Sequence, residues 1–343
     1  MPLLGRCIPM CRELPARVVL PDGEDARAVS AAMRLAREGL GNAILVGRPF
    51  AVRAVVRQVL AREGGYPVPL TVVDPESPEL LEKNVAAYSA LQESKGKPVT
   101  ADEAAKAMRC PLAAAAMMVR RKEAEVGVGG NVSSTADMLR AGIRIIGTAP
   151  GNKTVSGFFF MISPGETPGA RSVILYADAG VIPEPTPEQL VDIAIASAGQ
   201  YRGMMREEPR VAMLSFSSHG SAKHPRAELM RNAAGAVREK APGLIVDGEL
   251  QFDAAAVPAV AERKVPDSPV AGRANVFIFP SLEAGNIAYK ITERLGGYTA
   301  LGPLLQGLDG GWHDLSRGCS AEDIFQVALV GTALERARAG TGT

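Results

Sequence analysis

RVVLPDGEDARAVSAAMRLAREGLGNAILVG (17–47) is the stretch that decides the fold class. A β-branched run, RVVLP (17–21), reads as a buried strand, and a helical stretch follows from about Asp25 to Glu38. Gly39 stands where an αL C-cap residue would end that helix, and AILVG (43–47) is the next strand. Strand, helix, strand at this spacing is a parallel βαβ unit. The rhythm continues outward: a helix after Pro49, PLTVVD (69–74) as a strand, a helix over about 79–93, an Ala/Met-rich helix over 102–121 interrupted by Pro111, and EVGVGG (125–130) as a strand entering a Gly turn. The alternation predicts an α/β fold with a mostly parallel sheet and helices on both faces.

Near residue 150 the pattern changes. VSGFFFMI (155–162) and SVILYAD (172–178) follow one another with no helix between, which predicts an antiparallel insertion. PEPTPEQL (183–190) opens a helix with Pro187 early in it, and RVAMLSFS (210–217), LIVDG (244–248) and ANVFIFP (274–280) are strands separated by helices. Two α/β domains with a boundary near Pro150–Gly151 account for this. A last helix runs from about Ala321 to Arg338, and the tail RARAGTGT looks unstructured.

Composition narrows the function. The chain has 343 residues, 38 Lys+Arg against 37 Asp+Glu, 47% hydrophobic and 22% charged content. That length fits about two domains with real cores. The balanced charge argues against a nucleic-acid partner, and no apolar run nears the ~20 residues of a membrane span. The N-terminus, MPLLGRCIPMCREL, is broken by Pro and carries Arg6 and Arg12, so a signal peptide is not expected. A cytoplasmic protein follows. Cys7, Cys11, Cys110 and Cys319 make neither a disulfide framework nor a zinc set, and His219, His224 and His313 form no metal array. No metal is expected.

Four segments fit the rule that open α/β sheets gather ligands beyond the carboxyl ends of their strands. In GGNVSSTADMLRAG (129–142), Asn131, Ser133, Ser134 and Thr135 precede a helix carrying Arg140; this is a phosphate cradle, or else a plain N-cap with a surface Arg. SFSSHGSAKHP (215–225) offers Gly220 and Lys223 as an anion loop, or an ordinary βα turn with His219 and His224 as packing or surface residues. In DGELQFDAA (247–255), Asp247, Glu249 and Asp253 form an acid/base or metal set, or serve turn and helix-start roles, the reading we favour. HDLSRGCSAEDI (313–324) groups Ser316, Arg317, Cys319 and Asp323 at a helix start, where Ser320 and Asp323 also read as a capping box. Cys319 beside Arg317 would have a lowered pKa as a nucleophile, but no His–Asp relay serves it.

Taken together, ARVVLPDGEDAR (16–27), GNVSSTADMLRAGIRIIGTAPG (130–151), EEPRVAMLSFSSHGSAKHP (207–225), VDGELQFDAA (246–255), KVPDSPVAGRANVFIFPSLEAGNIAYKITERLGG (264–297), GPLLQGL (302–308) and HDLSRGCSAEDI (313–324) resemble the phosphate acetyl/butyryl transferase family. The likeness is closest to phosphotransacetylases of the ethanolamine-utilisation type and spans about residues 12–335. It implies reversible acetyl transfer between CoA and phosphate, with CoA, acetyl-CoA, acetyl phosphate and inorganic phosphate as partners and no tightly bound cofactor. It implies two α/β/α domains resembling isocitrate/isopropylmalate dehydrogenases, an active site in the cleft between them, and a homodimer. The C-terminal helix then returns to the first domain, giving residues 1–151 plus 311–343 and residues 152–310.

The resemblance also assigns roles. Asp323 matches the proposed general base for the CoA thiol, a role that calls for reach to the sulfur and for burial that raises its proton affinity. Ser316 matches the residue that hydrogen-bonds the reacting groups, and Arg317 and Arg140 match arginines that hold the phosphoryl and CoA anions. Ser134 and Thr135 belong to the same phosphate-binding segment, and Cys319 becomes a bystander beside the substrate. No acyl-enzyme is needed when both substrates bind together. In LQESKG (91–96), Gln92 replaces an anion-binding Arg of many members, Ser133 replaces a His, and Lys95 is a candidate to restore charge. Phosphate butyryl- or propionyltransferase and a non-catalytic acetyl-CoA-sensing module are the alternatives. Residence in a bacterial microcompartment is left open.

Overall fold

The computed structural model describes residues 2–165 and 172–340 of the chain. These fall into two compact units: Leu4–Ala149 joined by the chain from Leu308 onward, and Pro150–Gly307 joined by the start of the chain through Leu3.

The first unit is built on β1 (Ala16–Leu20), β2 (Gly41–Val46), β3 (Thr71–Val73) and β4 (Val126–Gly129). The strand Gly311–Asp314, the last in the chain, completes its sheet in the order Gly311–Asp314, β4, β1, β2, β3. Every pairing in this sheet is parallel. The chain builds outward from β1 to β3, then returns to place β4 on the other side of β1. The order therefore reverses between β1 and β4, and that switch point is where an open α/β sheet leaves a crevice at its carboxyl end.

Local chemistry sets the helices around it. Asp25 caps the helix Ala26–Arg37 by accepting from the Arg27 N–H, and Gly39 takes a φ of +66° at its far end. Pro111 begins a new helix, Pro111–Arg120, after Ala101–Met108 ends, because a proline at the first position loses no intrahelical bond. Ser134 caps Thr135–Ala141, which widens into a π-helical turn over Gly142–Ile146.

Trp312 locks β4 to its neighbour. It is fully buried, pairs with Gly127, and its indole N–H donates to the Met138 carbonyl at 3.0 Å. A Cβ on Gly127 would stand 2.2 Å from the indole ring, so only glycine fits there. The helix Ala321–Gly340 covers this side, with Gly331 against the buried His313. Burial drives the His313 pKa down to about 4, which keeps the ring neutral.

The second unit carries β5 (Ser156–Ile162), β6 (Val173–Ala177), β7 (Arg210–Leu214), β8 (Ile245–Leu250), β9 (Val276–Ile278) and β10 (Thr299–Gln306); Gly311–Asp314 is thus β11. Its sheet runs β10-β5-β6-β9-β7-β8. β5 pairs antiparallel with both β6 and β10, and the rest is parallel. The antiparallel insertion is therefore present. Tyr176 at its centre meets Phe277 and Phe279 edge-on at 5.6 and 5.1 Å.

Three readings need correction. The Pro-broken N-terminus is a helix, Pro2–Glu13, because Leu3, Cys7 and Cys11 recur every four residues and are wholly buried. β10 and β11 were not foreseen as strands. The tail is helical through Gly340, while residues 341–343 lie outside the described residues.

Candidate active site

Three loops leave the carboxyl ends of β1, β4 and β11 side by side, and two buried or half-buried side chains tie them together. Asp22, after β1, accepts from the N–H groups of Gly130, Val132 and Ser133 at 3.1, 3.0 and 3.3 Å, and from the Ser133 hydroxyl at 2.7 Å. Arg27 spans all three loops. It pairs with Asp25 at 2.9 Å and donates to the carbonyls of Asn131 (2.8 Å), Arg317 (2.8 Å) and Cys319 (2.9 Å). The segments 129–142 and 313–324, far apart in sequence, are thereby held together.

Two of the hydroxyl-bearing residues take partners within the protein. Ser133 is bound to Asp22, which explains why a small hydroxyl fits there. Ser134 is engaged as an N-cap, exchanging hydrogen bonds with Asp137. Thr135 stands exposed at the first turn, and Arg140 pairs with Asp137 at the surface.

Beyond β11, Ser316 and Arg317 are exposed. The Ser316 hydroxyl accepts from the Gly318 N–H at 3.3 Å, and among the described residues the Arg317 guanidinium has no hydrogen bond or ion pair. Asp323 is exposed, contrary to the burial its assigned role calls for. It closes the capping box foreseen with Ser320: Oδ2 accepts from the Ser320 N–H (2.8 Å) and hydroxyl (2.9 Å), and the Asp323 N–H returns to Ser320 Oγ at 3.1 Å. Both acceptances fall on Oδ2, so Oδ1 is left open.

Cys319 is buried, and burial raises its thiol to about 11 against the pull of Arg27. That overturns a lowered-pKa nucleophile, because the thiolate is the reactive form. The neighbouring cation is Arg27, and Arg317 is not the group that acts on the sulfur.

A cavity of about 360 Å³ opens beside these loops, lined by Asp22, Met108, Cys110, Ser133, Arg140 and Arg144 among others. It is apolar inside with two arginines at its edge. Lys95 donates to the Arg144 carbonyl at 2.7 Å, and Gln92 is buried in its helix, so neither presents charge to the cavity from its own side chain.

The other two segments meet each other in the second unit: the helix-start reading holds for Asp253, whereas Asp247 and Glu249 lie within β8 and not in a turn. Glu249 is fully buried and accepts from Arg231 (2.8 and 2.9 Å), the Ser217 hydroxyl (2.8 Å) and the Gly220 N–H (2.8 Å). These bonds outweigh burial and hold its pKa down at about 2. Asp247 pairs with Arg238 at 2.7 Å and with His219 at 3.0 Å, while His224 Nδ1 accepts the Arg226 N–H as an N-cap. Asp253 sits in a short helix, paired with Lys264. Glu249 and Asp247 clamp the loop 215–225; among the described residues no His, Cys, Asp or Glu grouping is placed to hold a metal.

Sequence reasoning gave no site role to Asp22, Arg27 or Asp314. Their signal was topological: PDGED (21–25) follows the strand that borders the reversal of sheet order.

A parallel α/β unit with hydroxyls, a free guanidinium and an open carboxylate at its switch point has the parts of a group-transfer enzyme working on anionic substrates. Residues 3–332 match the family described as Phosphate acetyl/butaryl transferase, and the chain belongs to that family. It is an acyltransferase. It is 42% identical over 327 residues to the phosphate acetyltransferase of Paracoccus denitrificans, covering 95% of this chain and 97% of that protein. It is also 42% identical over 314 residues to the phosphate acetyltransferase of Bacillus subtilis (strain 168), covering 92% and 93%. Among solved structures, a phosphotransacetylase from Streptococcus pyogenes aligns with TM-score 0.89 at 37% identity, covering 98% of each chain. The EutD phosphotransacetylase from Staphylococcus aureus aligns with TM-score 0.87 at 36% identity, covering 97% of this chain and 98% of that one.

Proposed function

We propose that the chain is a phosphate acetyltransferase, converting acetyl-CoA and phosphate to acetyl phosphate and CoA, reversibly. The observation that carries this is the likeness, at 40–42% identity over most of the chain, to several relatives named phosphate acetyltransferase. In the direction of acetyl-CoA formation, the CoA sulfur attacks the acetyl carbonyl of acetyl phosphate. Its S–H proton passes to Asp323 Oδ1, the C–O bond to phosphate breaks, and the oxygen keeps the electron pair. A thiol with a pKa of about 8.5 is mostly protonated at neutral pH, so a base at this step is worth about 10²–10⁴-fold. The open Oδ1 and the exposure of Asp323 support this role, at the cost of the expected burial.

Arg317, exposed and without a side-chain partner among the described residues, suits a phosphoryl group that gains charge as it leaves. Ser316 donates to the oxygen that becomes negative in the tetrahedral intermediate, and Ser134 and Thr135 flank the phosphate. The apolar cavity with Arg140 and Arg144 at its edge suits the nucleotide end of CoA, an aromatic ring carrying phosphates. Cys319 lies beside the substrate without reacting.

The direct test is formation of acetyl-CoA from CoA and acetyl phosphate by the pure protein, with propionyl- and butyryl-CoA compared by kcat/KM in the reverse direction. A butyryl preference replaces the acetyl reading, since one or two methylenes change binding by only ~1–3 kcal/mol. No turnover with any of them favours the acetyl-CoA-sensing module. We further infer a homodimer, supported by an exposed apolar stripe, Ile287, Ile291 and Leu295, along and just past the helix Leu282–Arg294. Membership of the ethanolamine-utilisation subgroup rests on the SSTA form at 133–136. Among the described residues no helix is long and apolar enough to cross a membrane.

A further inference from the structure

Under the hydroxyl-bearing loop lies a carboxyl group that the scheme above does not use. Asp314 ends β11 and is 2% exposed, and its Oδ1 has no hydrogen-bond partner among the described residues. Gly130, at a φ of +99°, presses so close that a Cβ there would stand 2.3 Å from that oxygen. The polar groups facing the carboxyl are the Thr135 hydroxyl and the Leu315 N–H, and the charge facing it is Asp22, with Arg27 beyond. His313, the preceding residue, turns to the opposite face of the sheet, against Gly331. Thr135 is the side chain that meets the Asp314 carboxyl, and it is exposed. Its hydroxyl thus bridges a buried acid and the place where the phosphate is proposed to sit.

We propose that Asp314 is a positioning residue for the anionic substrate: as the neutral acid it donates its O–H to Thr135 Oγ1, so that the Thr135 proton is turned outward to a phosphoryl oxygen. When Asp314 ionises, it can only accept. The Thr135 proton is then drawn inward and the substrate loses a donor. The Asp314 proton exchanges with solvent and takes no part in acetyl transfer. Burial, opposed by Thr135 and Leu315 and reinforced by Asp22, lifts the carboxyl to about 6, which puts the change within the working range of an enzyme. This inference rests on the reading of Thr135 as a phosphate contact.

The experiment is the pH dependence of KM for acetyl phosphate, and of Kd for inorganic phosphate by calorimetry, in wild type, Asp314→Asn, Thr135→Val and Thr135→Ser. In wild type and Thr135→Ser, both constants rise on crossing about pH 6. The rise amounts to roughly tenfold between about pH 5 and pH 8, the worth of one hydrogen bond to an anion. Ionisation of the substrate itself is common to all four proteins and cancels in the comparison. Asp314→Asn keeps an N–H donor at every pH, so its constants stay flat and low, whereas those of Thr135→Val are flat and high. A merely structural Asp314 would alter stability or kcat and leave the inflection in place. Persistence of the inflection in Thr135→Val or Asp314→Asn, or its absence from wild type, overturns the proposal. Lack of acetyl transfer in wild type overturns the functional reading instead, and phosphate binding still decides the role of Asp314.

Discussion

Two carboxyl groups near the end of the chain live under opposite conditions, and each predicts its own phenotype. Asp323 is exposed and already serves as a helix cap, so Asp323→Asn tests chemistry without opening a cavity. An amide oxygen can still accept from Ser320, so thermal stability falls by no more than about 1 kcal/mol. kcat falls about 10²–10⁴-fold and KM for CoA changes little, if the proton is taken here. An unchanged kcat removes Asp323 from the mechanism. Asp314 is buried, and its raised pKa makes the native state prefer the protonated form. That preference stabilises the fold fully below pH ~4, and the stabilisation is lost as pH rises through about 6. Asp314→Asn has no such loss. Urea denaturation should show it more stable than wild type at pH 8 by up to about 3 kcal/mol, with the gap closing towards pH 4. An equal gap at both pH values would mean that Asp314 does not titrate as its surroundings imply.

At the scale of elements, Gly127 and Trp312 carry the join between β4 and β11. Gly127→Ala puts a methyl group 2.2 Å from a ring held on all sides, so the strand pair must part or the indole must give up the Met138 carbonyl. Overpacking of this kind typically costs ~1–3 kcal/mol, and a lowered Tm with altered Trp312 fluorescence is expected. An unshifted Tm would show that the sheet yields more easily than its packing suggests. The same join explains what was hidden in the sequence. β1, β2 and β4 announce themselves as apolar runs bounded by Gly and charged turns, as do β5 and β6. β11 reads GWHD: its polar His313 and Asp314 are buried by neighbours far away in sequence, and no local pattern reports that. β10 holds Gly302 and Pro303 in its middle, residues that argue against a strand. The Pro2–Glu13 helix was legible by period alone, but Gly5 and Pro9 spoke louder. Of the proposed site, Ser134, Thr135, Arg140, Ser316, Arg317 and Asp323 were named from their segments and the family resemblance. Asp22 and Arg27 were not, because their partners are mostly backbone groups of other loops.

For the whole molecule, connectivity makes the two units unequal. Pro150–Gly307, which takes in only the start of the chain through Leu3 besides, carries its own six-stranded sheet in one continuous stretch. Expressed alone, it is expected to fold, with cooperative thermal unfolding and dispersed amide NMR signals. A fragment ending at Ala149 lacks β11, Trp312 and the covering helix Ala321–Gly340, and is expected to stay molten. If both fragments fold, the final strand and helix matter less to the first unit than their burial indicates; if neither does, the second unit needs the first.

That inequality also sets a timetable for birth on the ribosome. The edge of β4 waits bare while the whole of Pro150–Gly307 is translated, on the order of ten to thirty seconds at ordinary elongation speeds. Until the closing strand leaves the exit tunnel, Gly130 has no Asp314 to lean on and Arg27 has no carbonyls of Arg317 and Cys319 to grasp. The nascent polypeptide therefore lacks an assembled form of the proposed site for most of its synthesis, with one sheet edge open to a chaperone or to a neighbouring unfinished copy.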